Sequence, residues 1–164
     1  MTKSEEITRN AMIHLTSSYD SVRSEEDEDS DEESEAAEAS ELEMSTEGVI
    51  RVTDGRIEIE YFETELTGME GSCTCVSFER DNPGIVSMIR TGSVTTALVF
   101  EEGKRHICAY NTDIMAFELC VKTSEVRNDM TELGGELELD YCIEFRGAST
   151  EHTHIRLTAA PTGV

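Results

Sequence analysis

Three histidines and three residues near strand ends are the side chains whose types and spacing could do chemistry. His152 and His154 stand two apart and alternate with Thr153 and Ile155, while His14 alternates with Ile13 and Leu15. Successive side chains of a strand point to opposite faces, so all three imidazoles fall on the polar face. If the last strand closes against the first, opposed side chains lie about 5 Å apart, and the three could converge on a zinc or nickel ion. No buried carboxylate that would orient the rings is evident, and solvated surface histidines are the plainer reading.

Arg90, Arg105 and Tyr110 are candidates of a different kind. An arginine at the mouth of a closed sheet offers several donors to an anionic head group. An arginine that caps the sheet's end and pairs with a nearby glutamate is the commoner arrangement. Cys73 and Cys75, two apart, lack the Cys-x-x-Cys spacing of redox and zinc sites and look like two half-buried thiols. Nucleophilic catalysis would need Ser or Cys beside His with an orienting acid, and no Gly-x-Ser-x-Gly occurs. No catalytic residue and no cofactor are therefore assigned.

The elements that must position these residues are strands. Residues 136–145 place Leu137, Leu139, Tyr141, Ile143 and Phe145 on one face, with acids and a cysteine on the other. That two-residue period recurs from about residue 42 to 159. Residues 48–53 and 56–61 flank Asp54-Gly55, the dipeptide favoured in a two-residue primed turn. Gly68, Gly71, Asn82-Pro83-Gly84, Thr91-Gly92, Glu101-Glu102-Gly103, Gly134-Gly135 and Gly147 punctuate the rest, and residues 11–19 supply a first strand. Nine or ten short strands in simple succession predict an all-β fold, a single closed antiparallel up-and-down barrel of about eight to ten strands, because closure removes exposed edges. Ile57, Ile59, Tyr61, Leu98, Phe100, Leu137, Leu139, Ile143 and Leu157 are the expected inward set.

Composition narrows the partners. The chain of 164 residues carries 13 Lys and Arg against 36 Asp and Glu, a net charge of −23. Residues 25–43 hold 12 of those acids and no basic residue, and the remainder is acidic too. Nucleic acid and anionic membrane surfaces are repelled by such a chain, so neither is an expected partner. Residues 24–40 bury too little apolar surface to offset the entropy of ordering, which predicts a disordered acidic loop between the first two strands of one domain spanning 1–164. Five cysteines, a polar opening segment and no long apolar run point to a reduced, cytoplasmic setting.

Residues 65–71, 88–94, 99–104, 110–112, 121–123 and 134–141, taken in order, resemble the YwiB-like family of small bacterial proteins. That family is a domain of unknown function with a calycin-like (lipocalin-like) barrel. The resemblance covers roughly residues 8–159 and departs from the family at the acidic insertion, where a shorter loop is expected. It implies architecture, and no activity, catalytic residues or cofactor. With the apolar inward set, the expected function is that of a non-enzymatic binding protein for a small, mainly apolar ligand. The alternatives are an interaction protein with a filled barrel whose acidic loop contacts a basic protein partner, or an enzyme without a nameable reaction.

Overall fold

The computed structural model describes residues 5–21, 40–67 and 70–163. Ten strands follow one another: β1 (Glu6–Ser21), β2 (Ser40–Thr53), β3 (Arg56–Phe62), β4 (Cys73–Glu79), β5 (Asn82–Thr91), β6 (Val94–Glu101), β7 (Arg105–Thr112), β8 (Ala116–Asn128), β9 (Gly135–Phe145) and β10 (Ala148–Pro161). One 3₁₀ turn, Glu65–Thr67, lies between β3 and β4. Each strand pairs antiparallel with its sequence neighbours, and β10 pairs back onto β1, so the sheet closes into an up-and-down barrel. The all-β closed barrel expected from the alternation is what forms. Among the described residues no helix is long and apolar enough to cross a membrane.

Alternation decides which side chains fill it. Ile57, Ile59, Tyr61, Leu98, Phe100, Leu137, Leu139 and Leu157 are buried, with Ile143 packed against them half-buried. Phe100 and Tyr141 meet across the interior with ring centroids 4.7 Å apart. Each such side chain contributes roughly 1.5–3 kcal/mol by leaving water. Side chains thus fill the waist of the barrel, which leaves its two ends to receive anything else.

Local conformation follows the turn chemistry. Asp54 and Gly55 have φ of 49° and 81°, and Arg146 and Gly147 have 53° and 82°, the left-handed pairs that a primed hairpin turn demands. Two expectations shift. The first strand runs to Glu6 and Ser21, because β2 extends far enough to pair with it from Glu6↔Thr53 to Tyr19↔Ser40. Asn82-Pro83-Gly84 opens β5, and the turn falls at Arg80 and Asp81. Pro83 has no amide hydrogen to give, and it sits within the register break between Ser77↔Ser87 and Glu79↔Asn82. Of the expected acidic loop, Ser40 belongs to β2, and 24–39 lie outside the described residues.

Connections alternate between the two ends. The lower end gathers the β2–β3, β4–β5, β6–β7 and β8–β9 links, and the upper end gathers the others.

Candidate functional site

At the upper end a single row of inward positions crosses six strands. The register sets Tyr61 beside Thr74, Thr74 beside Arg90, Arg90 beside Thr96, Thr96 beside Tyr110 and Tyr110 beside Phe117. Arg90 and Tyr110 therefore share one face and one end. Arg105 begins β7 at the lower end, points outward and pairs with Glu144 at 3.4 Å.

Glu63 completes the upper row. Its Oε1 accepts from the Thr74 hydroxyl at 2.7 Å and from Arg90 Nη2 at 3.2 Å, while Arg90 Nε donates to Thr74 Oγ1 at 3.3 Å. Glu63 Oε2 is buried with no partner among the described residues. Beside this group burial raises the Tyr61 phenol, helped by the Glu63 charge. Burial also pushes Tyr141 up to about 12. Tyr110 and Phe117 lie 6.3 Å apart and Phe117 and Phe145 6.0 Å apart, an aromatic lip on the half-buried side of the same end. Glu63 was missed because it lies just past the strand. Its parity with Ile57, Ile59 and Tyr61 is the signal that marks it as inward.

His14, His152 and His154 lie on the outer face. His152 and His154 share Asp140, at 2.8 Å from His152 Nε2 to Oδ1 and 3.3 Å from His154 Nδ1 to Oδ2. Asp140, whose side chain is half-buried, thus holds both rings, while no buried carboxylate among the described residues holds the two together. His14 stands apart, opposite Thr158 where His154 is opposite Ser18, and its ring reaches Ser45 and Glu43. Among the described residues no group of three or more His, Cys, Asp and Glu is arranged to hold a metal ion. Next to the histidines, Arg156 donates to Glu138 Oε1 through Nε at 3.1 Å and Nη2 at 2.8 Å, and this holds the Glu138 carboxyl below its usual range.

Cys73 and Cys75 are half-buried free thiols. Burial, with Glu58 and Glu60 adding to it, pushes Cys75 up to about 11. Such a thiol is a poor nucleophile and a poor metal ligand at neutral pH.

The lower end holds a recess of about 490 Å³. Ile57, Phe78 and Met130 supply its apolar wall, and Asn128, Asp129, Arg80 and Glu132 its polar one. The segment 129–134 folds back between β8 and β9 and carries Met130 into the core at 5% exposure. Arg80 Nη2 and Glu132 Oε2, 3.0 Å apart, tie this segment to the β4–β5 turn. Nothing in the periodicity singles out Met130, since it sits between strands where alternation says nothing about direction.

A closed ten-stranded up-and-down barrel, packed at the waist and recessed at one end, is the class of protein that these features define. A family model described as Domain of unknown function (DUF1934) matches residues 22–157, and the chain belongs to that family. The resemblance carried by the ordered motifs is thereby borne out. Among solved structures the chain is similar to "Crystal structure of ywiB protein from Bacillus subtilis", at 18% identity and a TM-score of 0.73, over 95% of this chain and 94% of that one. At that identity the likeness is one of fold. No curated protein matches the chain.

Proposed function

We infer that the barrel is a non-enzymatic binding protein for a small, mainly apolar ligand, taken at the lower end. The observation that carries this reading is the 490 Å³ recess, which is within the usual range for small-molecule sites. Ile57, Phe78 and Met130 suit an apolar body. Asn128 and Asp129 offer polar groups that would fix its orientation.

Native mass spectrometry of protein purified from its own host, followed by denaturing extraction, tests this. A near-stoichiometric small molecule that is lost in Met130→Trp, where the indole fills the recess, is the expected result. A bare mass for the wild-type protein would overturn it and favour the second reading.

That second reading is an interaction protein. Its support is the outer face, where Cys75, Ile89, Ala97 and Ala109 are successive cross-strand neighbours with no charge among them. Ile89 is 43% exposed, and Ile107 nearby on β7 is 76% exposed. The basic partner expected for the acidic segment belongs to this reading, and that segment lies outside the described residues.

A further inference from the structure

We propose that Arg9 anchors an anion subsite at the lower end, and that the group it takes is a single carboxylate or phosphate on a small molecule. In a chain with 36 acids and 13 basic residues, a guanidinium ordinarily finds a carboxylate. Arg51, Arg56, Arg80, Arg90, Arg105, Arg127 and Arg156 each do so within 4 Å. Arg146 lies over the Phe145 ring at 5.3 Å. Among the described arginines, Arg9 alone has neither kind of partner.

Its placement makes that unusual. Arg9 shares inward parity with Ala11, Ile13 and Leu15, all buried, and stands opposite the buried Ile50. Its Nε is buried with no acceptor among the described residues. A buried donor left without an acceptor is costly, and more so on a charged group. The fold retains one here, at the wall of a pocket of about 270 Å³ lined by Thr8, Arg9, Asn10, Pro161, Thr162 and Gly163.

The pocket is built by the chain's own crossing. The Thr162 amide donates to the Asn10 carbonyl at 2.9 Å, which holds residues 161–163 alongside β1. Arg9 thus faces a space walled mostly by backbone and uncharged side chains, with no carboxylate among the described residues that line it. An anion with two oxygens in the pocket meets the guanidinium through its Nη groups, beside an Nε–H that solvent does not reach and that reports on the binding. The inference does not rest on the recess at Met130, which different strands line.

The test is a titration of ¹⁵N-labelled protein with sodium phosphate and, separately, sodium acetate, at ionic strength held constant with sodium chloride. Saturable shifts of the Arg9 Nε–H and of the Thr162 and Gly163 amides are expected. Arg9→Gln should weaken binding at least about tenfold, and Arg9→Lys, which keeps the charge and loses the fork, by an intermediate factor. Saturation by one salt alone assigns the group as carboxylate or as phosphate. Shifts that never saturate, that chloride reproduces or that persist in Arg9→Gln overturn the proposal. Should Arg9→Gln fail to fold, the wild-type Nε–H resonance decides the matter alone.

Discussion

Arg90 reaches Glu63 at 3.2 Å from a side chain that is 21% exposed, whereas the Glu63 side chain is 0% exposed. The pair spans the boundary between the packed waist and the upper rim. A carboxylate taken wholly out of water is tolerated only while something offsets its desolvation.

The two partners should therefore be unequal in mutation. Arg90→Met strands a buried carboxylate and is expected to cost about 3 kcal/mol or more. Glu63→Gln keeps an acceptor for Thr74 and Arg90 and should cost distinctly less. Replacing both with apolar residues should recover part of the Arg90→Met loss. Urea midpoints for the three variants measure this, and equal losses in both single variants would contradict the asymmetry.

The buried phenols predict an alkaline limit. Burial raises Tyr141 to about 12, against about 10 in an unfolded chain. Below about 10 both states hold the proton, and the contribution is fully present. Above that the unfolded chain releases its proton first, so stability falls as pH rises from about 10 to 12, by roughly 2–3 kcal/mol for this one group. Tyr141→Phe should flatten the decline in that window. Denaturant titrations at pH 9 and 11 on both proteins read it out. Parallel curves would mean that Tyr141 is not the group responsible.

A similar argument governs Cys75. With its thiol near 11, only about one molecule in a thousand carries the thiolate at pH 8. Alkylation by iodoacetamide, followed at the Cys75 peptide, should be slow there and rise about tenfold per pH unit up to pH 10. A rate that levels off below pH 9 would show a more acidic thiol than its half-buried place between Glu58 and Glu60 implies.

These groups also show what the chain discloses before folding. Ile57, Ile59 and Tyr61 announce their direction because each backbone step flips the face, and Asp54-Gly55 announces the turn because two left-handed residues are needed there. The same parity, continued outward, would have marked Arg9 and Glu63 as inward despite their polarity. The Glu63–Arg90 contact spans β3 to β5, and which residue faces which follows from strand register that no single strand encodes. His14 illustrates the same limit. Its alternation placed it correctly on the outer face, yet four residues of β1–β10 register separate it from His154. Met130 lies between strands and obeys no period at all.

Gly134 is where the lower recess can be tested without touching its lining. Thr131 and Gly134 exchange backbone hydrogen bonds at 3.0 and 3.1 Å, and the Thr131 hydroxyl donates to the Gly134 carbonyl at 2.9 Å. Gly134 has φ of 91°, and a Cβ there would strike the Ala159 carbonyl oxygen and the Pro161 ring. Gly134→Ala is thus strained twice, by a backbone conformation that L side chains rarely adopt and by collision with β10. The cost should be about 2 kcal/mol or more, because the obstructing oxygen is backbone and has little room to yield. The loss should fall locally. With the turn displaced, Met130 has no reason to stay seated, and the Met130 and Thr131 amides should exchange with deuterium faster than those of the β9 waist. If those two amides keep wild-type protection while global stability drops, the segment is held by Met130 itself, and the recess keeps its apolar wall.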